Sequence, residues 1–201
     1  MRELIAYAGA LALAGCATKV APALQPLAPI SVQPLGQILD RHVQITRDAG
    51  LNLPARPGYP EARTLSQLVR AQYGTRRGVF EAGLTLSPDR VDLVITLPSG
   101  PRLASMSWDQ DAITETRAKG PFQAAPGANM LGDIFLCFWP REAVAAALDP
   151  SLEVVDQADG RRLISQDGNL VIEISRAPET PHITRLRNLA LDYQLIIETS
   201  P

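Results

Sequence analysis

The chain has 201 residues, with 19 Lys or Arg against 21 Asp or Glu and a formal net charge of −2. This balance excludes the strongly basic surface expected of a protein that binds nucleic acid. Hydrophobic residues make up 46% of the chain, and its length is sufficient for one domain with a sizeable core.

The first sixteen residues are typical of a secretory signal that ends in a lipid-attachment site. A charged start precedes ten apolar residues at positions 4–13, a run shorter than the roughly 20 residues that a membrane-spanning helix needs. Small residues and a cysteine follow, and Leu13-Ala14-Gly15-Cys16 resembles the lipobox of bacterial lipoprotein precursors. We therefore predict a signal peptide at residues 1–15 and acylation of Cys16. The alternative is a buried amino-terminal helix with an ordinary core cysteine.

The resemblance to lipoproteins also implies a location. Several acyl chains, each stabilised by about 0.8 kcal/mol per buried CH₂, would hold the protein on a membrane essentially permanently. Ala17, in place of Asp, favours the outer membrane by the sorting rule of enteric lipoproteins, so we expect a lipid anchor on its periplasmic face. Four prolines within residues 16–35 predict an extended, semi-rigid tether.

From residue 36 onward the hydrophobic pattern has a period of two, which predicts a mainly β domain over residues 36–201. A hairpin is expected at residues 64–86 with its bend at Gly74, and a Pro/Gly-rich loop at residues 52–60. Further strands are predicted at residues 37–47, 91–97, 103–108, 112–117, 152–157, 161–166, 169–175, 182–187 and 190–198.

A helical insertion interrupts the strands near the middle of the chain. Residues 128–138 are densely apolar, and residues 140–148 read as a helix with Pro140 at its first position. A sheet with one face to bury would pack this insertion against that face. We therefore predict a curved antiparallel sheet or incomplete β-barrel of about ten strands, with the insertion on its concave face.

Two side chains inside the insertion invite functional interpretations. Cys137 is the remaining thiol once Cys16 is acylated, so no intramolecular disulfide is expected, and its apolar neighbours predict burial. Asp133 is predicted to cap the helix or to bind nearby backbone groups, in preference to a catalytic role.

The large apolar side chains of the insertion are the candidate ligand-binding residues. They could line a cavity for acyl chains, or they could simply fill the core under the sheet, and the sequence leaves both interpretations open. The candidates are Met130, Leu131, Ile134, Phe135, Phe138 and Trp139.

Residues that could support catalysis or metal binding are sparse. His42 and His182 lack a metal-ligand spacing, and Asp109 and Asp111 are most simply a solvated turn. We therefore expect no catalytic residue, metal or cofactor, and no enzymatic activity.

Two pairs of adjacent arginines, Arg76-Arg77 and Arg161-Arg162, are interpreted as solvated charges at strand edges or turns. Such charges discourage strand edges from pairing with other chains. Contact with anionic lipid headgroups is the alternative.

Three segments carry a resemblance to a known family: residues 103–109 (LASMSWD), 131–140 (LGDIFLCFWP) and 186–195 (LRNLALDYQL). Together with the strand pair near residues 70–81, they resemble a family of uncharacterised bacterial outer-membrane lipoproteins. Some members of that family are encoded beside aryl-polyene biosynthesis genes. The family is similar in turn to the LolA/LolB lipoprotein carriers and receptors, in which helices close a hydrophobic cavity inside an incomplete β-barrel. The resemblance covers residues 36–198.

The resemblance implies a protein that binds an acyl, lipid or polyene chain, or a lipoprotein, and aids its transfer or insertion at the outer membrane. Two alternatives from other functional classes stay open. One is a membrane-tethered module with a packed interior that docks another envelope protein. The other is a lipid hydrolase, which would need a polar cluster with perturbed pKa values at the mouth of a cavity.

The assignment of Cys16 gives the first testable prediction. Cys16→Ala should abolish incorporation of labelled palmitate and remove the protein from the outer-membrane fraction, because the acyl acceptor is lost. Cys137→Ala serves as the control and should keep both properties. Acyl labelling that persists in Cys16→Ala would contradict the lipoprotein assignment.

Overall fold

The structure, a computed structural model, describes residues 36–98, 100–118 and 127–200. The predicted signal peptide (1–15), Cys16 and the tether (16–35) lie outside the described residues. Among the described residues, no helix is both long enough and apolar enough to cross a membrane.

Thirteen strands and two helices make up the described part of the chain. The two helices, α1 (Gly127–Phe138) and α2 (Arg141–Ala147), lie between the eighth and ninth strands. The strands are β1 (Gln37–Leu39), β2 (His42–Gln44), β3 (Gly50–Asn52), β4 (Arg63–Tyr73), β5 (Arg76–Leu86), β6 (Arg90–Thr96), β7 (Arg102–Asp109), β8 (Ile113–Arg117), β9 (Leu152–Asp156), β10 (Arg161–Gln166), β11 (Asn169–Ser175), β12 (Ile183–Asn188) and β13 (Tyr193–Thr199).

Eleven of these strands form one antiparallel sheet with the order β1-β8-β7-β6-β5-β4-β13-β12-β11-β10-β9. Two meanders, β4 to β8 and β9 to β13, meet where β13 pairs with β4. The sheet stays open because β1 and β9 are its two edges. The mainly β fold and the central helical insertion are thus confirmed, with more strands than the ten expected.

Alternating side chains give the sheet an inner face, which we define as the face toward α1. On β6, Val91, Leu93 and Ile95 are buried, whereas the residues between them are partly exposed. This is the consequence of the period-two pleat of a strand with one solvated face. The turn between β10 and β11 uses Asp167 and Gly168, both with positive φ (50° and 80°), which suits a two-residue hairpin.

The prediction of one strand at residues 37–47 is wrong. The chain breaks after β1, where the side chain of Asp40 accepts a hydrogen bond from the backbone N–H of His42 at 3.1 Å. Such a local side-chain bond favours a turn over a continuous strand. The second part, β2, pairs with β3 as a separate two-stranded sheet.

The β2–β3 hairpin packs closely on α1. A Cβ atom added to Gly132 would lie only 2.6 Å from Cγ1 of Val43, so the hairpin approaches the helix at a position that only glycine allows. Asn188 of β12 donates a 3.0 Å hydrogen bond to the backbone oxygen of Ile45 and joins the hairpin to the main sheet.

An aromatic cluster of Tyr59, Trp108, Phe135 and Trp139 forms the densest part of the core. The ring of Trp139 lies 5.0 Å from Tyr59, 5.1 Å from Phe135 and 5.7 Å from Trp108 between centroids. Both indole N–H groups donate to carbonyls of the loop after β3: Trp108 to Pro54 and Trp139 to Pro57. The cluster therefore joins the sheet, the end of α1 and this loop.

Two arginines satisfy backbone carbonyls at the carboxyl end of α1. Arg162 donates to the oxygens of Leu136 (2.7 Å) and Trp139 (2.8 Å), and Arg176 donates to the oxygen of Cys137. Carbonyls at a helix end need such partners, and positive charge there is favourable. The interpretation of Arg162 as a solvated charge is wrong, because its side chain is only 13% exposed.

The aromatic cluster generates a stability prediction. Trp139→Ala should lower the free energy of unfolding by about 3–5 kcal/mol, because Trp139 is 2% exposed and its removal leaves a cavity among three rings. Urea unfolding measures the change. Val155→Ala, at a side chain that is 51% exposed, is the control and should stay within about 0.5 kcal/mol. A similar small loss for Trp139→Ala would show that the cluster does not stabilise the core.

Candidate ligand-binding cavity

A cavity of about 760 Å³ lies between α1 and the inner faces of β4, β5, β6 and β13. This volume falls within the range of about 300–1,000 Å³ that is common for small-molecule sites. Its lining residues are Gln67, Val69, Ala71, Tyr73, Arg76, Arg77, Gly78, Phe80, Ala82, Leu93, Ile95, Met130, Asp133, Ile134, Leu195 and Ile197.

Small residues on the inner face create this space. Ala71 of β4 pairs directly with Gly78 of β5, and Ala82 follows farther along β5. A Cβ atom added to Gly78 would meet no heavy atom within 4 Å, so the volume above it is empty. Where neighbouring inner positions carry Leu84 and Leu86, the sheet is fully packed.

The helix contributes one of its faces to the cavity. Met130 and Ile134, which are four positions apart, line the cavity together with Asp133. Residues at this spacing share a helix face because an α-helix has 3.6 residues per turn, so these two side chains point to the same side of α1.

The structure places the other four candidate residues outside the cavity lining. Leu131 and Phe135 lie on an adjacent helix face and are fully buried, and Phe135 joins Trp139 in the aromatic cluster. Phe138 lies beneath the guanidinium of Arg176, 5.3 Å from its ring centroid. A helix that is buried on several sides has more than one apolar face, and apolar composition alone does not tell these faces apart.

The strand register sets the length of the cavity. Tyr193, Tyr73 and Arg76 form a row across three strands at one end, and Gln67 and Ala82 are paired toward the other. The rows are six positions apart along β4, which corresponds to about 20 Å at roughly 3.3 Å per residue. The cavity is therefore elongated along the strands.

Its two ends differ in exposure. Tyr73 is 38% exposed, and Arg76 and Arg77 are exposed beside the β4–β5 turn. Ala82 and Ile95, at the opposite end, are buried. Among the described residues, the cavity is thus open at the arginine end and closed at the other.

A buried polar pair lies near the open end. The hydroxyl of Tyr193 donates a 2.7 Å hydrogen bond to Asp133, and the ring of Tyr193 stacks on Tyr73 with 5.1 Å between centroids. Burial raises the pKa of Asp133 to about 7, although the hydrogen bond from Tyr193 opposes that rise. Burial and the nearby carboxyl also raise the pKa of Tyr193. The predicted capping role of Asp133 is wrong, because Asp133 lies within α1 and its hydrogen-bond partner, Tyr193, belongs to β13.

Cys137 is buried as predicted. Burial raises the pKa of its thiol to about 12, which keeps it protonated and unreactive. Among the described residues, no group of three or more His, Cys, Asp and Glu side chains could hold a metal ion.

Sequence reasoning missed the strand residues of the cavity. The alternation along β4 places Val69, Ala71 and Tyr73 on one face, and this pattern was visible in the sequence. The small residues Ala71, Gly78 and Ala82 on the same inner face are the signal that could have indicated space there.

The raised pKa of Asp133 predicts how stability changes with pH. The folded protein holds a proton that the unfolded chain, at an ordinary pKa of 3.8, releases, so stability should fall as pH rises from about 4 to about 7. The difference between the two pKa values corresponds to roughly 4 kcal/mol at most. Asp133→Asn should remove this slope in urea unfolding at pH 5, 6, 7 and 8.

Asp109→Asn is the control for this measurement. Backbone hydrogen bonds hold the pKa of Asp109 below its usual range, so its contribution changes only in more acidic solution. This variant should keep the slope between pH 5 and 8. A wild-type protein whose stability rises over that range would contradict the role assigned to Asp133.

Comparisons with known proteins give a family and a distant structural similarity. No curated protein sequence matches the chain. A crystal structure of a LolA superfamily protein, NE2245 from Nitrosomonas europaea, aligns with a TM-score of 0.36 and 7% identity, covering 70% of this chain and 84% of that one. Similarity at this level does not extend to function. Residues 64–201 match the family described as "Protein of unknown function (DUF3261)", and because this is more than half of the sequence, the chain belongs to that family.

Proposed function

We propose that the protein binds the apolar chain of a lipid, a polyene or a lipoprotein in the cavity between α1 and the sheet. The observation that supports this proposal is the elongated cavity of about 760 Å³ with a mainly apolar wall. In this proposal the protein aids the transfer or insertion of its ligand at the outer membrane and has no enzymatic role.

The energy for binding would come from burial of methylene groups. Each CH₂ that leaves water contributes about 0.8 kcal/mol. Because the wall residues belong to paired strands and a packed helix, little ordering should oppose binding. A linear chain also matches the shape of a site that extends along the strands.

The proposed anchor explains how such a site could reach its ligand. Acylated Cys16 would hold the protein on the periplasmic face of the outer membrane. An extended tether over residues 17–35, at about 3.1 Å per residue, would allow the domain to move up to about 60 Å from that surface. The cavity could then collect a chain away from the membrane and release it there.

The alternative functions have less support. A docking module with a fully packed interior does not fit a cavity of this size. A hydrolase would place a nucleophile and a base at the cavity, yet neither His42 nor His182 is among its described lining residues.

Filling the cavity tests the proposal. Gly78→Leu should weaken the binding of dodecanol at least tenfold, because the new side chain occupies the empty volume above Gly78. Gly83→Leu is the matched control, since Gly83 lies on the outer face of the same strand and is also unobstructed. Displacement of a fluorescent fatty acid, or native mass spectrometry, measures binding.

Chain length gives a second readout of the same proposal. In the protein without either glycine substitution, decanol, dodecanol and tetradecanol should each bind about tenfold more tightly than the previous, shorter alcohol until the cavity is full. Failure of the parent protein to take up any of these alcohols would contradict the proposal and favour the docking module.

A further inference from the structure

We infer that the ligand is a linear, single-chain amphiphile with an anionic end group, held at the open end of the cavity by Arg76 and Arg77. This inference rests on the proposed function and specifies its ligand. The end group is a carboxylate or a phosphate monoester, which share the geometry that a guanidinium recognises.

The first support is the change in polarity along the cavity. At the open end, the row of Tyr193, Tyr73 and Arg76 presents hydroxyl and guanidinium groups. The next rows inward are apolar, with Leu195 beside Ala71 and Gly78, and then Ile197 beside Val69 and Phe80. A ligand that matches this order has one polar end and one continuous apolar chain.

The second support is the absence of partners for the two arginines. Among the described residues, the side chains of Arg76 and Arg77 make no hydrogen bond or ion pair, although both line the cavity. By contrast, Arg70 on the neighbouring strand pairs with Glu198, and Arg90 pairs with Asp92. Two unpaired positive charges at the mouth of an apolar site favour a negative group on its occupant.

The third support is the position of the pair in the sheet. As predicted, both arginines are exposed charges at a strand edge, because β6 pairs with β5 only from Glu81 onward. Arg76, Gly78 and Ala82 are separated by even numbers of residues along β5, so the side chain of Arg76 lies on the inner face with them. Arg77 follows it directly beside the β4–β5 turn and also reaches the cavity.

The carboxyl of Asp133 is compatible with an anionic group at this end. It is buried, and its Oδ1 accepts the hydrogen bond from Tyr193. With its pKa raised to about 7, it is largely neutral in mildly acidic solution and does not repel an anion there.

The experiment compares four ligands that share a twelve-carbon chain: dodecanoate, dodecyl phosphate, dodecanol and dodecyltrimethylammonium. The full chain carrying Cys16→Ala is the parent, so that no attached acyl chain competes for the site. At pH 6.5 and low salt, both anions should bind about tenfold more tightly than dodecanol, and the cation more weakly than dodecanol. The preference should shrink in 0.5 M NaCl.

Two double variants locate the effect. Arg76→Ala with Arg77→Ala should bind the anions no better than dodecanol. Arg185→Ala with Arg187→Ala changes the net charge equally at exposed positions of β12, outside the cavity lining, and should keep the full preference. Urea unfolding checks that both variants are folded.

The outcomes separate this inference from the proposed function. Equal binding of dodecanol and dodecanoate by the parent would overturn the anionic end group and leave chain binding intact. Binding of none of the ligands would overturn the proposed function itself. An equal loss of preference in the β12 variant would assign the effect to net charge and overturn the site. The ligand comparison needs only the parent, so it tests the preference for an anionic end group even if a variant fails to fold.

Discussion

The fold depends on a difference in size: the apolar face of the large sheet is much wider than the length of α1, the helix that covers it. Eleven strands at about 4.8 Å spacing form a surface roughly 50 Å wide, whereas a helix of twelve residues is about 18 Å long. One short helix cannot cover such a face if the sheet stays flat. The sheet therefore curves around α1, and the loop after β3 and the β2–β3 hairpin cover further parts of it. The part left uncovered is the cavity.

The contacts of α1 divide it into a fixed side and an open side. Arg162 and Arg176 bind its terminal carbonyls, and Trp139 packs directly after it, so its carboxyl end is held by charge and by aromatic packing. The face with Met130 and Ile134 borders the cavity instead. A helix held firmly on one side can border a cavity without collapsing into it.

Part of this arrangement could be read from the sequence. Alternation along β6, the bend at Gly74 and the apolar neighbours of Cys137 are local signals, and the structure agrees with them. The partner of Asp133 is different in kind, because Tyr193 lies 60 positions away and only the assembled sheet brings it near. Likewise, only the assembled structure determines which face of α1 lies in the core and which face lines the cavity. Local patterns predict elements, whereas the assignment of Leu131 to the core and Met130 to the cavity depends on how those elements pack.

The pairing of β13 with β4 has a consequence for how the domain folds. These strands are central in the sheet, yet Tyr193 pairs with Tyr73, so the middle ladder joins two distant parts of the chain. Contacts of such sequence separation form late and slow the search for the native state. The sheet cannot be completed until the chain has emerged as far as Thr199. Because β4 and β13 both line the cavity, its wall is complete only when nearly the whole domain is available for pairing.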